Sequence, residues 1–259
     1  MRYGLIGETL GHSYSKIIHE QLADYSYDLI PLSKDEFHTF MTRKGFTAIN
    51  VTIPYKQEVI PYLDQLHPHA LEIGAVNTIV NKNGYLTGYN TDFYGFQYLL
   101  KHNDIPIHNM KCLVLGNGGT SKTVKAALKD LGAKEVLVVS RTASSTTITY
   151  EECRKIHRDA DIIVNTTPLG MYPHTNASPL DLAPFQKCIA VVDVIYNPLE
   201  TTLIKQAQEL GIKAVNGLEM LVAQAKQAVE YFLDKKIEDT VIDDIYQKLL
   251  DQIKNAKTE

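Results

Sequence analysis

The chain has 259 residues, enough for one large domain or two modest ones, each with its own apolar core. Its 44% apolar and 22% charged residues are typical of a soluble globular protein, and its formal net charge of −4 argues against nucleic acid or a membrane as its main partner. Three scattered cysteines and the absence of a signal-peptide pattern are typical of a cytoplasmic protein without disulfides or a metal site.

Strand and helix patterns alternate through the first hundred residues. In chain order, they predict a strand over 3–6, a helix over 13–25, a strand over 27–32, a helix closed by Gly45 and a strand over 47–53. Ser33 and Glu36 form a capping box at the start of the second helix. Asn83-Gly84 predicts a hairpin between apolar runs over 75–80 and 85–89, and an apolar-faced helix over 92–102 follows.

A second series begins near residue 111, after a polar segment over 102–109 that we interpret as a linker. It predicts strands over 112–115, 136–139, 162–164, 189–194 and 213–215, with helices over 120–131 and 201–210 between them. Two further helices near 218–233 and 237–253 end the chain. Strands that alternate with helices indicate a parallel, doubly wound sheet.

A glycine-rich turn follows the first strand of the second series. Its residues are Gly116, Asn117, Gly118, Gly119 and Thr120, and they open a helix. In this context a glycine turn binds a pyrophosphate at the helix N-terminus. A serine at position 121 takes the place of the third glycine of the usual fingerprint, so the motif is imperfect. The alternative is a plain glycine turn without a ligand.

The next strand ends in Ser140, Arg141 and Thr142. NAD-binding proteins usually place an acid at this strand end for the ribose hydroxyls, and the nearest acid downstream here is Glu151. A guanidinium flanked by two hydroxyls suits a dianionic 2′-phosphate instead. These residues indicate NADP as the cofactor. An ordinary solvated arginine is the alternative.

Lys56 and Asp92 are the candidate proton-transfer pair. Lys56 follows a strand, and Asp92 stands at a similar strand-to-helix transition. Oxidation of an alcohol requires removal of a proton, which a lysine can accept while a carboxylate orients it. Taken singly, Lys56 could be a solvated lysine and Asp92 a helix cap.

Further polar residues stand at element ends or inside apolar runs. The hydroxyls of Ser13 and Ser15 and the free N–H groups of the helix start could hold a carboxylate, or one serine could simply cap the helix. Asn77 lies in an apolar run, so it belongs either to a structural network or to a substrate site. His12 is more often a structural residue than a catalytic one.

Nine segments, spread over nearly the whole chain and in the order in which the family has them, resemble the shikimate dehydrogenase family. Each is weakly specific alone, but the nine together are highly specific. They are 11–15, 50–56, 74–78, 88–92, 116–120, 140–142, 165–171, 193–198 and 217–224.

This resemblance implies an α/β enzyme of two domains. A discontinuous α/β substrate-binding domain would comprise residues 1–103 and 217–259, and a Rossmann-like, doubly wound parallel domain over 104–216 would bind NADP. The site would lie in the cleft between them. A monomer or a homodimer is compatible with the sequence.

The resemblance also implies residue roles. Lys56 would be the general acid/base, paired with Asp92. The substrate would contact Ser13, Ser15, Thr52, Lys56, Asn77, Asp92, Tyr196 and Gln224. The pyrophosphate would lie on Gly116, Asn117, Gly118, Gly119 and Thr120, the adenosine phosphate on Ser140, Arg141 and Thr142, and the nicotinamide near Val194, Gly217 and Met220. No metal is implied.

The family's reaction is the reversible reduction of 3-dehydroshikimate to shikimate with NADPH, a step of aromatic amino-acid biosynthesis. Two alternatives stay open: a quinate/shikimate dehydrogenase that uses NAD, and a nucleotide-binding regulatory relative without catalysis. Three positions depart from the common pattern of the family. Ser140 replaces an Asn, Pro68 stands where many members carry an acid, and Glu219 replaces a small residue.

Overall fold

The structure is a computed structural model that describes residues 3–11 and 13–255. The chain packs into two compact units, Met1–Gly95 with Leu221–Glu259 and Phe96–Met220, so the first unit is discontinuous in sequence. The domain boundaries predicted from the sequence, at 103/104 and 216/217, both lie inside the second unit. Within the described part of the chain, no helix combines the length and the apolar character needed to cross a bilayer.

The first unit contains a six-stranded mixed sheet in the order β2-β1-β3-β5-β6-β4. Its strands are β1 (Tyr3–Gly7), β2 (Tyr27–Pro31), β3 (Ala48–Val51), β4 (Gln65–Leu66), β5 (Thr78–Lys82) and β6 (Tyr85–Tyr89). Strand β1 is parallel to β2 and β3, whereas β5 is antiparallel to β3 and β6. Asn83 and Gly84 turn the β5–β6 hairpin with positive φ angles of 56° and 89°, as the Asn-Gly signal predicts.

Three helices and a short 3₁₀ helix connect these strands, and a fourth helix follows β6. They are α1 (Ser15–Leu22), α2 (Lys34–Arg43), the 3₁₀ helix Ile60–Tyr62, α3 (Pro68–Ile73) and α4 (Thr91–His102). The predicted capping box of α2 is present, because Ser33 and Glu36 each bond the other's backbone N–H. The left-handed residue at the end of α2 is Lys44, with φ 49°, so the prediction that Gly45 closes this helix is wrong by one residue. No sequence signal predicted α3.

The second unit contains a six-stranded, all-parallel sheet in the order β12-β11-β10-β7-β8-β9. Its strands are β7 (Lys111–Leu115), β8 (Glu135–Ser140), β9 (Ile148–Thr149), β10 (Ile162–Asn165), β11 (Ala190–Asp193) and β12 (Lys213–Val215). Helices α5 (Gly119–Asp130), α6 (Tyr150–Ile156) and α7 (Thr202–Glu209) connect them. This is the doubly wound parallel sheet that the second series predicts; β9 and α6 were not predicted.

Helices α8 (Leu218–Leu233) and α9 (Thr240–Asn255) end the described chain. In the first unit one face of the sheet packs on α2 through residues such as Ile6, Phe37 and Met41. The other face packs on α8, where Ala228 and Phe232 contact core residues of the sheet. When both faces of a sheet are covered by helices, side chains can reach a ligand only near the ends of the strands, and the site residues lie there.

The segment predicted to be a linker contributes two residues to the core of the second unit. Ile105 and Ile107 are each only 5% exposed. Burial of both isoleucines excludes a solvated linker over 102–109.

Candidate active site

Lys56 and Asp92, 36 positions apart in sequence, form an ion pair in the first unit. Lys56 Nζ donates to Asp92 Oδ2 at 2.6 Å, and the two side chains are 18% and 13% exposed. The hairpin β5–β6 returns the chain to the edge where Lys56 lies, and Val76 N–H donates to the Lys56 carbonyl at 2.8 Å. The structure therefore brings the predicted pair together.

Asp92 lies in the first turn of α4, and its carboxylate is not the cap of this helix. Asn90 Oδ1 accepts from Phe93 N–H at 3.2 Å, which is the capping interaction. Among the described residues, Lys56 Nζ has Asp92 as its hydrogen-bond partner, so two of its three N–H groups remain for a ligand. A partly buried ammonium with spare donors next to a carboxylate can both hold a hydroxyl and exchange a proton with it.

The predicted carboxylate-binding residues lie after β1 and β3. Ser15 is the first residue of α1, and its N–H donates to Ser13 Oγ at 3.3 Å. Thr52 follows β3, is half-buried and donates its N–H to the Ile6 carbonyl at 2.9 Å. Since parallel strands β1 and β3 are neighbours, their carboxyl ends bring these two segments to the same edge of the sheet. His12 lies outside the described residues.

Asn77 and Gln224 are both buried, at 3% and 9% exposure, and both contact Thr91. Asn77 Oδ1 accepts from Thr91 N–H at 2.7 Å, and Gln224 Oε1 lies 3.3 Å from Thr91 Oγ1. Gln224 Nε2 also donates to the Leu221 carbonyl at 2.9 Å. Asn77 and Gln224 thus flank Thr91, the residue before Asp92.

In the second unit, the glycine turn lies at the switch point of the sheet. Strand β7 has β8 on one side and β10 on the other, and ligands of doubly wound folds bind at the carboxyl ends of such strands. Gly116 has φ +104°, and a Cβ there would lie 2.9 Å from Thr166 Oγ1, so both conformation and space require glycine. Asn117 and Gly118 are exposed, and Gly119 begins α5 without an acid in its first turn.

Ser140, Arg141 and Thr142 form a turn at the carboxyl end of β8. Ser140 Oγ donates to the Thr142 carbonyl and accepts from Thr142 N–H, which fixes the backbone around Arg141. Arg141 and Thr142 are exposed. A glycine turn with free helix N–H groups, followed at the next strand by a cation in place of an acid, fits a dinucleotide with a 2′-phosphate.

The residues predicted near the nicotinamide pack tightly in the second unit. A Cβ on Gly217 would lie 2.0 Å from the Val194 carbonyl oxygen, so the two backbones touch and no side chain fits between them. Met220 is 7% exposed, and Tyr196, which follows β11, is half-buried. Unlike the other predicted substrate contacts, Tyr196 belongs to the second unit.

Glu219, one of the three departures from the common pattern of the family, is a buried residue with defined partners. Its carboxylate bonds His102 Nδ1, and its Oε2 accepts from Asn103 Nδ2 at 2.6 Å. It is 7% exposed. Glu219 therefore joins the start of α8 to the end of α4.

Asp193 is a buried carboxyl group that the sequence did not single out. Burial raises the pKa of Asp193 to about 6, although hydrogen bonds from Thr201, Ile195 and Asn165 favour its charged form. Asn165 in turn accepts from Thr167 N–H at 2.9 Å, in the loop beside Gly116. The network shapes the strand ends next to the glycine turn.

A two-unit α/β protein with a doubly wound parallel sheet, a glycine turn at its switch point and a separate Lys–Asp pair belongs to the class of nicotinamide-dependent dehydrogenases. The family model described as the shikimate dehydrogenase substrate binding domain matches residues 5–79. The protein named Shikimate dehydrogenase (NADP(+)) from Clostridium beijerinckii is 38% identical over 94% of this chain and 96% of its own. The protein of the same name from Bacillus cereus strain 03BB102 is 35% identical over 88% of this chain and 91% of its own.

Solved structures agree. The chorismate mutase/shikimate 5-dehydrogenase fusion protein from Clostridium acetobutylicum matches with a TM-score of 0.91 and 40% identity, over 97% of this chain and 98% of that one. Shikimate 5-dehydrogenase from Thermus thermophilus, in complex with NADP(H) and shikimate, matches with a TM-score of 0.84 and 30% identity, over 96% and 99%. The chain belongs to the shikimate dehydrogenase family. The predictions of this family, of a two-domain α/β fold and of an NADP-dependent oxidoreductase are confirmed.

Proposed function

We propose that the chain reduces 3-dehydroshikimate reversibly to shikimate with NADPH, with Lys56 as the general acid/base and Asp92 as its partner. The observation that carries this proposal is the 2.6 Å contact between Lys56 Nζ and Asp92 Oδ2. Two residues far apart in sequence meet as an amine and a carboxylate, the pair that oxidation of an alcohol needs.

The first unit is the proposed substrate-binding domain. Ser13 and Ser15 follow β1 and Thr52 follows β3, and their hydroxyls and backbone N–H groups suit the substrate carboxylate. Asn77 and Gln224 supply amides for the ring hydroxyls, and Tyr196 stays a predicted substrate contact. The shikimate bound by the Thermus thermophilus protein supports this substrate.

The second unit is the proposed NADP-binding domain. Gly116, Asn117, Gly118, Gly119 and Thr120 would hold the pyrophosphate against the N-terminus of α5. Ser140, Arg141 and Thr142 would hold the 2′-phosphate, because a fixed guanidinium beside hydroxyls binds a phosphate dianion. Val194, Gly217 and Met220 would border the nicotinamide. When bound, NADPH supplies the hydride for the ring carbonyl.

The first unit's own residues supply the proton. In the direction of reduction, the Lys56 ammonium donates a proton to the oxygen of the ring carbonyl as that oxygen gains charge. Before this transfer its positive charge stabilises the developing alkoxide. Asp92 holds Nζ at 2.6 Å and keeps it aimed while the proton moves. In the direction of oxidation, neutral Lys56 accepts the proton of the same hydroxyl.

The rival with NAD as cofactor and quinate as substrate keeps the same fold. The shikimate 5-dehydrogenase from Listeria monocytogenes, 28% identical, was solved in complex with shikimate and NAD. Arg141, and the absence of an acid between it and Glu151, favour NADP for this chain.

We also propose a cytoplasmic location and a monomeric or homodimeric state, on the basis of the composition and the small-molecule substrate.

Steady-state kinetics with shikimate and quinate, each with NADP and NAD, test the proposal. We expect kcat/KM for shikimate with NADP to exceed the other three combinations by about tenfold or more, the value of one charged hydrogen bond. Preference for quinate with NAD would replace both the substrate and the cofactor. No turnover in any combination, together with a higher Tm in NADP, would indicate the regulatory relative instead.

A further inference from the structure

A chain of hydrogen-bonded, buried side chains runs through the first unit from β2 to α8. Tyr27 Oη donates to Asn50 Oδ1 at 2.7 Å, and Asn50 Nδ2 donates to Thr78 Oγ1 at 3.0 Å. Thr78 Oγ1 donates to Asn77 Oδ1 at 3.0 Å. Thr91 continues the chain to Gln224. Every member is at most 9% exposed, so none of these bonds competes with bulk water.

Two backbone groups fix the orientation of the two asparagine amides in this chain. Asn50 Nδ2 also lies 3.2 Å from the Asn77 backbone carbonyl, which can only accept. Asn77 Oδ1 lies 2.7 Å from Thr91 N–H, which can only donate. If the oxygen and nitrogen of either side-chain amide exchanged places, two donors or two acceptors would face each other. It follows that Tyr27 donates to Asn50, and that Thr78, which accepts from Asn50, can donate to Asn77 Oδ1 at 3.0 Å or to Thr91 Oγ1 at 3.1 Å.

The fixed orientation of the Asn77 amide determines which of its atoms remain available to a ligand. Its oxygen accepts from Thr91 N–H and from the Thr78 hydroxyl, so that oxygen is satisfied. Its nitrogen donates to no described residue. It is also not one of the fully buried side-chain atoms that lack a hydrogen-bond partner. Asn77 thus presents two N–H donors and no acceptor on the side away from Thr91.

The chain is also joined to the backbone of the proton-transfer pair. Thr91, which bonds Asn77, directly precedes Asp92, and Val76, which directly precedes Asn77, donates its N–H to the Lys56 carbonyl. The Asn77 carbonyl in turn accepts from Val51 N–H at 2.8 Å. A shift of Asn77 would therefore move the segments that carry Lys56 and Asp92.

We propose that Tyr27 is a remote positioning residue for the substrate: through Asn50 and Thr78 it holds Asn77 as a donor-only contact for an oxygen of the bound hydroxy acid. This inference rests on the proposed function, because it assigns Asn77 to the substrate. Tyr27 itself is fully buried beneath the ring of His19, with centroids 4.0 Å apart, and touches no ligand. Its hydroxyl acts only by anchoring the Asn50 side-chain oxygen, whereas the Asn77 backbone carbonyl fixes which way that amide faces.

Tyr27→Phe is the test, since it keeps the stacked ring and removes only the hydroxyl. We expect kcat/KM for shikimate to fall about tenfold, the scale of one broken buried hydrogen bond. KM for NADP should stay within about twofold, because the chain contacts only the first unit. A purely structural role would lower Tm without this substrate-specific loss.

Tyr25→Phe is the matched control. Tyr25 belongs to the same aromatic cluster, and its hydroxyl bonds His19 Nδ1 at 2.8 Å, outside the chain. This variant should lose some stability and keep the wild-type kinetic constants. Equal kcat/KM for shikimate in wild type, Tyr25→Phe and Tyr27→Phe would overturn the inference.

Thr78→Val provides a second break in the same chain and covers the case in which Tyr27→Phe does not fold. It should give the same loss for shikimate, and the double variant should lose little more than either single variant, because both remove one pathway. Additive losses would show that the two hydroxyls act separately and would contradict the inference. An inactive wild type would instead count against the proposed function itself.

Discussion

At the scale of single residues, chemistry depends on what surrounds Lys56. Its ammonium has one described partner, Asp92, and two spare N–H donors. Lys82 of the first unit, by contrast, pairs with Asp234 at 3.0 Å at the surface, with 69% of its side chain exposed. The partial burial of Lys56 keeps the pair from being screened as such surface pairs are.

Lys56→Ala should lower kcat for shikimate oxidation by about 10²-fold or more, the scale of lost general acid/base catalysis. KM for shikimate should change much less, because the hydroxyls and amides around the substrate remain. Steady-state kinetics measure both constants, and Lys82→Ala is the control for loss of one surface lysine. Wild-type kcat in Lys56→Ala would remove this amine from the mechanism.

Sequence reasoning reached these residues but not the distance between them. The types of Lys56 and Asp92, and their places after strands, were visible in the sequence. Their contact depends on pairing of β3 with β5 and on the β5–β6 hairpin, which are long-range choices of register. Asn50 is an amide inside a buried strand, a signal that was present and not used. Its partners Tyr27 and Thr78 could not be named, because a buried amide does not reveal which group satisfies it.

At the scale of elements, the glycine turn between β7 and α5 joins local conformation to a tertiary contact. Gly116 has a positive φ of +104°, and the space for a Cβ is taken by Thr166 and Thr167 of the loop after β10. The sequence predicts the turn from its glycines. It does not predict that the first glycine is required by a neighbouring strand end as well as by its own backbone.

Gly116→Ala should destabilise the second unit by about 1–3 kcal/mol, because it forces an L-residue into a positive φ and against Thr166. It should also weaken NADP binding by about tenfold or more, since the displaced turn no longer presents its N–H groups to a phosphate. Urea unfolding and titration calorimetry with NADP measure the two effects.

Gly45→Ala is the control for Gly116→Ala, because its Cβ would meet no atom within 4 Å. It should leave stability within about 0.5 kcal/mol of the wild type, as expected for a surface change. Unchanged stability and NADP affinity in Gly116→Ala would show that the turn tolerates a side chain, contrary to its geometry.

Element prediction succeeded where the sequence carried a distinct local pattern and failed where a short element offered none. Strand β12 was predicted with its observed bounds, and the Asn-Gly hairpin has the expected positive φ angles. Helix α3 has six residues and β9 has two, so neither offers a repeat that a periodic pattern can detect. The buried Ile105 and Ile107 show why 102–109 was mistaken for a linker: its many polar residues concealed two core positions.

At the scale of the whole molecule, two buried groups give stability opposite dependences on pH. Desolvation lowers the pKa of His19, in the first unit, to about 3. Burial raises the pKa of Asp193, in the second unit, to about 6. The unfolded chain binds the His19 proton more readily than the folded protein does, so this histidine costs stability as the pH falls below about 6.5. The folded protein holds the Asp193 proton more tightly, so this aspartate costs stability as the pH rises from about 4 to about 6.

Asp193→Asn isolates the second of these effects. An amide oxygen at this position still accepts from Asn165 and Ile195, and the amide group faces the Thr201 hydroxyl, which can rotate to accept. The variant lacks the cost of a buried charge, so its free energy of unfolding should rise relative to wild type by on the order of 2 kcal/mol between about pH 4 and pH 6. Groups that titrate alike in both proteins cancel in this difference.

His19→Phe should change the pH dependence of the free energy of unfolding in the opposite sense to Asp193→Asn. The ring still stacks on Tyr27, whereas the titrating nitrogens are gone. Relative to wild type, this variant should gain stability as the pH falls from about 6.5 towards 4, because its unfolded chain no longer binds a proton at position 19. Urea unfolding of the three proteins across this range measures both differences. Parallel stability curves for all three would mean that neither group titrates differently in the folded and unfolded chain, and the burial assigned to His19 and Asp193 would then not govern acid stability.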